Sequence, residues 1–506
     1  MAVRSKLPTQ QSSAQQSSMQ LSSARWPALV LLCAATLMII LDGTIVTVAL
    51  PSIQRSLHFS ATTLTWVVDA YMISFGSLLL LAGRVGDLAG RKGTLLAGLT
   101  LFTAASLLCG LATSPAMLIA ARFAQGAGGA MVSAVALGMI AALYPEPEER
   151  TRALAVFSFT GAAGAALGLI AGGVLTQLLD WHWIFFVNLP IGVLTGAAAW
   201  RVLESDRGIG LRAGADLPGA LLVTSGLVLA IYAIVADPWF AIGAAVLLAG
   251  FFARQARAAV PLLDLRILAS RNVSGVYVIQ LLVIAAAWSF QILTTLYMQD
   301  VLGYGPAASG LAFTPTAVVI AVVSLGLAAR LIARFGARSV LLAGLALIAA
   351  ALIMLVGLPV RDGFWDLQLP ALLIFGVGGG LTLPALATLG MADATPADAG
   401  LVSGLFNTGQ QLGGALGVAA LSALAAVHTR ELTAAGRSAG AALTGGYHLA
   451  FGVGAALSIV GIVLSAAILR GPRRPVPSDE RREPEGECER EDEREHEREC
   501  ATMAAG

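Results

Sequence analysis

Two aspartates and one arginine lie deep in apolar sequence: Asp42 in ILDGTIV, Asp69 in WVVDAY and Arg122 in RFAQG. If those stretches cross a bilayer, each charge costs about 3 kcal/mol by insertion scales, so each residue needs a function or a partner. A carboxyl in such a place can take a proton on one side of the membrane, cross uncharged and release it on the other. Once ionised, it can also hold a cation. Asp42 and Arg122 can pair as a buried salt bridge, in which case a proton on Asp42 would free Arg122 and shift the balance between states. The plainer alternatives are an Asp69 bonded to a nearby Ser, Thr or Tyr that only orients helices, and an Arg122 that snorkels.

The elements that must position these residues are membrane helices. The 506 residues are 57% hydrophobic and 12% charged, with mean hydropathy +0.80, against roughly 25% charged for a soluble domain. Apolar runs of the ~20 residues needed for a bilayer crossing fall at 27–50, 64–83, 94–112, 116–143, 153–177 and 183–203. A second series falls at 217–235, 238–254, 272–297, 308–332, 338–358, 367–390, 399–427 and 447–470. The chain therefore reads as an all-α polytopic membrane protein of 14 transmembrane helices. Lys and Arg gather in alternate loops, as at Arg84, Arg91, Lys92, Arg150, Arg330, Arg334 and Arg338, while the loops between hold Arg55, Arg361, Arg430 and Arg437. Basic loops belong in the cytosol, which places both termini there.

Three matches in chain order mark an internal repeat: GRKGTLLAG (90–98) with GARSVLLAG (336–344), QGAGGAM (125–131) with FGVGGGL (375–381), and GAALG (164–168) with GGALG (413–417). Two homologous six-helix halves with two helices inserted between them fit this pattern, which is the architecture of alternating-access transporters. The expected organisation is a disordered cytosolic leader (1–25), an N-terminal six-helix bundle (26–206), a linker carrying inserted helices seven and eight (207–270), a C-terminal six-helix bundle (271–470) and a disordered, charged cytosolic tail (471–506).

Two loop and helix motifs make the reading specific. GRVGDLAGRKG, between the second and third runs, resembles the cytosolic loop motif of the major facilitator superfamily, and RFAQGAGGAM resembles its Arg-bearing motif. With LDGTIVTVALPSI, WVVDAY, WHWIFFVNLPIG, LYMQDVLGYGPAASG and GLVSGLFNTGQQLGGALG, the chain from about Trp26 to Arg470 looks like a member of the fourteen-helix drug:proton antiporter family. The resemblance implies a major facilitator fold of two pseudo-symmetric bundles. It also implies proton-coupling roles for Asp42 and Arg122, beside Asp69, whose place in an apolar run already suggests one.

Gly83, Gly86, Asp87, Gly90, Arg91 and Lys92 would form a conformational latch, with Asp87 capping a helix N-terminus and binding arginine across the cytosolic side. In the repeat Asp87 aligns with Ala333, so the latch is expected on one side only. The family's span-five motif usually runs Gly-Pro-x-x-Gly-Gly. Here it is GLIAGG, with Leu169 at the proline position, while Gly164, Gly168, Gly172 and Gly173 keep the means for close helix approach. His182, where relatives often have arginine, sits between Trp181 and Trp183 and reads as an interfacial anchor. Trp66, Tyr71 and Phe290, with the amides Asn407, Gln410 and Gln411, are the candidates for a substrate cavity.

Other classes fall away. The net charge of +1 and the absence of a basic patch argue against nucleic acid. Cys33, Cys109, Cys488 and Cys500 have no disulfide or zinc spacing, and His496 lies in the solvated charged tail. No Walker motif points to ATP, and no nucleophile or His/Cys constellation points to an enzyme, so neither cofactor nor metal is expected. The function read from the chain is a proton-coupled exporter of amphipathic, cationic drugs, antibiotics or toxins in the cytoplasmic membrane, its partners being that cargo, protons and lipid. A facilitator or exporter of a metabolite or siderophore is the rival within the fold. A membrane scaffold or sensor acting through the tail is the rival outside it.

Overall fold

The computed structural model describes residues 10–469, except 61, 145, 205, 207, 209, 211–215, 259–260, 267–270, 360–363 and 392–398. Arg361, Arg470 and the charged tail with Cys488, His496 and Cys500 lie outside the described residues. Among those described there are helices and no strand. In chain order the helices are α1 (Gln10–Leu57), α2 (Trp66–Ala89), α3 (Arg91–Gly110), α4 (Pro115–Leu143), α5 (Pro147–Leu178), α6 (Trp183–Val202), α7 (Leu217–Val235) and α8 (Phe240–Gln255). They continue with α9 (Arg271–Val301), α10 (Pro306–Phe335), α11 (Ala337–Leu355), α12 (Phe364–Gly390), α13 (Ala399–Ala434) and α14 (Ala439–Ile468).

Thirteen of these are long and apolar enough to cross a membrane, and α8, at the expected place of the eighth span, is the shorter one at Phe240–Gln255. Residues 10–25 are helical rather than the disordered leader expected, because α1 runs back to Gln10. That stretch holds no Gly or Pro to break it. Helix starts follow local capping chemistry. Ser114 accepts from Met117 N with Pro115 in the first turn, Asp216 accepts from Gly219 N, and Ser438 accepts from Ala441 N.

The three repeated motifs turn out to be two helix crossings, each built twice. Gly98 of α3 faces Gly128 of α4, where a Cβ would meet the Gly128 carbonyl at 2.9 Å; Gly344 of α11 faces Gly378 of α12, again at 2.9 Å. Gly164 and Gly168 of α5 lie on α1 at Leu37 and Leu41, as Gly413 and Gly417 of α13 lie on α9 at Leu281 and Ala285. The loops match too. Gly90 joins α2 to α3 with φ 99°, and Gly336 joins α10 to α11 with φ 82°, a region that side chains avoid.

The packing of α1–α6 is repeated by α9–α14 pair for pair: α1 with α5 and α6, α2 with α4, α3 with α4 and α6. Between the halves, α2 meets α13, α5 meets α10 and α1 meets α9. The inserted α7 packs on both α2 and α13. Asp216 pins the α7–α8 hairpin, taking Arg254 Nε at 2.5 Å and Gln255 Nε2 at 2.7 Å.

Candidate functional site

Asp42 on α1 is wholly buried and takes three N–H donors. Arg122 Nη1 reaches its Oδ2 at 2.6 Å; Gln125 Nε2 and Asn188 Nδ2 reach its Oδ1 at 2.7 and 2.8 Å. Arg122 is itself 1% exposed, and donates further to Gln125 Oε1 at 2.7 Å and to the Val67 carbonyl at 2.9 Å. Its guanidinium carbon stands 4.3 Å from the Tyr71 ring centroid. Ser106 Oγ accepts from Gln125 and Asn188 and donates to the Phe185 carbonyl. Of the two uses open to Asp42 and Arg122, the geometry realises the salt bridge, inside a network that joins α1, α2, α3, α4 and α6. A buried ion pair offsets its desolvation only when it makes further hydrogen bonds, and here Asp42 takes two amide donors while Arg122 gives to the Gln125 and Val67 oxygens.

Asp69 is different. It is 0% exposed, and neither carboxyl oxygen has a hydrogen-bond partner among the described residues. Thr65, one turn earlier, gives its hydroxyl to the Thr62 carbonyl. Asp69 shares a face of α2 with Met72 and Gly76, three and seven residues on. That face meets α13: a Cβ on Gly76 would lie 2.9 Å from Gln411 Cβ, and one on Gly414 would lie 3.0 Å from Met72 Sδ. Tyr71 turns the other way, to Arg122. The two acids of the first half therefore lie apart in role, one tied into a network within that half and one unpartnered at the contact between halves.

A central cavity of about 280 Å³ lies between the halves, with α1, α5, α9, α10, α11, α12 and α13 in its wall. Phe290 and Gln410 line it, together with Trp288, Gln291, Thr316 and Thr382. Phe290 stacks on Phe375, centroids 3.8 Å apart. Trp66, Tyr71, Asn407 and Gln411 are not in the described wall, and neither are Asp42 and Asp69. Trp66 instead tilts against Tyr232 of α7 at 6.5 Å. A second cavity of about 260 Å³ lies toward the Ser60 end, where Thr62, Thr65, Val418, Ser422 and Arg430 contribute. Near that end Gln299 Nε2 donates to the Val48 carbonyl at 2.9 Å and Ala307 N donates to Gln177 Oε1 at 3.1 Å, joining the halves.

The loop motif holds its own half together. Asp87 pairs with Arg91 one turn on, at 3.3 Å, and does not cap a helix; the carboxylate at the N-terminus of α3 belongs to Asp206, which accepts from Arg91 N at 2.6 Å and Lys92 N at 3.1 Å. Asp87 lies on the last turn of α2, before the Gly90 break, and its carboxylate is taken up by the Arg91 side chain, so the segment after α6 arrives over the open N–H groups of α3 instead. Lys92 Nζ holds the last carbonyls of α6 at Trp200 and Leu203, and Arg91 Nη1 reaches the Gly138 carbonyl on α4 at 3.0 Å. Gly86 is crowded by Val135, and a Cβ on Gly90 would meet the Asp206 carbonyl at 2.6 Å, whereas Gly83 has room. On α5, a Cβ at Gly172 would meet the Ile45 carbonyl and one at Gly173 the Pro306 carbonyl, both at 2.5 Å, so GLIAGG packs closely in the absence of proline, and α5 runs on unbroken. His182 stacks on Trp181 at 3.7 Å beside Asp180.

Residues 32–418 match the Major Facilitator Superfamily. The chain belongs to that superfamily. Among curated major facilitator relatives, a puromycin resistance protein of Streptomyces alboniger is 37% identical over 457 residues, covering 88% of this chain and 90% of its own. A cephamycin export protein of Amycolatopsis lactamdurans is 39% identical over 425 residues, covering 79% and 85%. Solved structures agree in fold. The POT family transporter PepTSo gives a TM-score of 0.65 at 15% identity over 87% of this chain and 97% of its own. A bacterial homologue of the human lysosomal transporter Spinster, inward-facing and unoccupied, gives 0.64 at 16% identity over 89% and 99%.

Sequence reasoning missed Gln125, Asn188 and Ser106, which complete the Asp42 network, and Gln291, Thr316 and Thr382 of the cavity. Gln125 had a signal, since it follows Arg122 by three residues on one helix face. Asn188 and Ser106 had none, because their partners are 146 and 82 positions away or belong to each other.

Proposed function

We propose that this chain exports amphipathic drugs or antibiotics across the cell membrane in exchange for protons, by alternating access, with both termini in the cytosol. Asp69 carries the reading. A charge with no partner in that place is costly, a proton removes the cost, and the face it lies on is the α2–α13 contact that must change when the halves rock. Protonation there is thereby linked to which arrangement of the halves is stable. The relatives, named for puromycin resistance and cephamycin export, support the cargo class. The proton gradient is the energy source in this reading, with neither ATP nor cofactor.

The test is proton release from everted membrane vesicles energised by respiration and then given puromycin, comparing the wild type with Asp69→Asn. Collapse of the gradient in wild-type vesicles and silence in the variant support coupled export through Asp69. Silence in both, with puromycin still moving, would leave a facilitator; wild-type behaviour in the variant would make Asp69 a structural acid.

A further inference from the structure

The wall of the central cavity is mostly apolar, with four aromatic rings and five polar side chains, and among the described residues it carries no charge. Of its threonines, Thr44 gives its hydroxyl to the Ile40 and Leu41 carbonyls, and two others are idle. Thr316 and Thr382 are 5% and 1% exposed, and neither hydroxyl has a hydrogen-bond partner among the described residues, although a helical threonine can ordinarily bond the carbonyl four residues back. Thr388 of the same helix as Thr382, and Thr433 and Thr444 of α13 and α14, do so. The side-chain amides of Gln291 and Gln410 likewise make no hydrogen bond to another described residue. Two amides thus border one space beside the Phe290–Phe375 stack and Trp288, while the Thr316 and Thr382 hydroxyls are closed off from it, that of Thr382 against Gly344 at the α11–α12 crossing.

We infer that this cavity recognises its cargo uncharged, as an aromatic amphipath whose polar edge hydrogen-bonds Gln291 and Gln410. A buried cation needs a carboxylate or a matching set of acceptors, and the acids of this half are placed elsewhere: Asp42 already holds Arg122, and Asp69 lies on the face of α2 that meets α13. Neutral donors and acceptors left unmade are the groups that a neutral polar edge satisfies. It follows that proton and cargo occupy different groups. They do not compete for one carboxylate, as a cation held by Asp69 would require, and exchange between them runs through the contact of the halves. The inference rests on the exporter reading for the identity of the site, and it concerns the charge of what binds there.

The experiment measures binding to the purified full chain in nanodiscs, with empty nanodiscs subtracted. The probes are the neutral fluorescent naphthalene dye prodan and a derivative bearing a permanent trimethylammonium group. Prodan is expected to bind at least tenfold more tightly than the cation at both pH 6 and pH 8. Gln291→Leu and Gln410→Leu should each weaken prodan up to about tenfold, the loss of one hydrogen bond, and Gln291→Met provides a third variant should either fail to fold. Tighter binding of the cation, or an affinity for it that changes about tenfold per pH unit and is lost in Asp69→Asn, would overturn the inference, as would prodan binding indifferent to every variant. Failure of the exporter reading looks different: prodan binds as described, yet wild-type vesicles release no protons.

Discussion

Asp42 and Arg122 meet at 2.6 Å with at most 1% of either side chain exposed. Gln125 bridges them, giving its amide N–H to the acid and its carbonyl to the arginine. Removing one partner therefore leaves the other charged and alone. Asp42→Asn should lose about 3–5 kcal/mol of stability, seen as a large fall in the melting temperature of the solubilised protein. Pairing it with Arg122→Gln should recover most of that loss without restoring transport. If the single variant melts like the wild type, the pair does not hold α1 to α4.

Asp69→Asn should behave in the opposite way. Its carboxyl has no hydrogen-bond partner among the described residues to lose, so the amide should leave melting unchanged or raise it while export falls to background. A melting loss as large as that of Asp42→Asn would show that Asp69 has a partner after all.

Glycine contacts give a graded prediction. Gly172→Ala pushes a methyl group against the Ile45 backbone, and overpacking of this kind costs about 1–3 kcal/mol. Gly196 on α6 has nothing within 4 Å of the same position, so Gly196→Ala should be neutral or slightly stabilising. Comparing the two melting curves measures the α1–α5 crossing directly.

The Asp206 cap predicts a pH window. Partial desolvation works to raise this carboxyl, but the N–H groups of Arg91 and Lys92 and the Arg91 charge outweigh it and hold it below the usual range. Stability from a lowered carboxyl is complete above its unfolded value of about 3.9 and is lost as pH falls through the lower, folded one. Melting should thus show no contribution from Asp206 titration between pH 7 and pH 5. Asp206→Asn should remove the difference seen below pH 4 and weaken the α3 terminus at neutral pH.

Gln299 and Gln177 close the Ser60 end across the halves. At about 0.5–1.5 kcal/mol for each bond, Gln299→Leu with Gln177→Leu should open that end roughly tenfold more often. A membrane-impermeant thiol reagent applied outside to Ser422→Cys, in a chain otherwise free of cysteine, should then react correspondingly faster. An unchanged rate would mean that these bonds do not gate the second cavity.

The fold was largely legible because hydropathy and glycine spacing act locally: a run of twenty apolar residues declares itself, and Gly98 and Gly344 announce the same crossing in both halves. Asp42 and Arg122 were legible as residues, since a charge in an apolar run stands out. Their neighbours were not, for Asn188 is an ordinary amide until α6 brings it to α1. Asp87 misled for the same reason. Its position suggested a cap, while the cap came from Asp206, 115 residues beyond Arg91. Cavity walls are the least legible of all, because Gln291 and Gln410 matter only through the space that helices of both halves enclose.

The inserted hairpin has a mechanical consequence. Helix α7 touches α2 on one side and α13 on the other, and Thr224 ties it to Ser77 of α2 at 2.9 Å. When the halves rock it can travel with only one of them, and that bond makes it a passenger of the first, so α13 must glide along it as a shaft along a bearing. Among the described residues the opposite flank, where α5 meets α10, has no such third rail, and a molecule dissolved in the bilayer would find the two sides of this protein unequal.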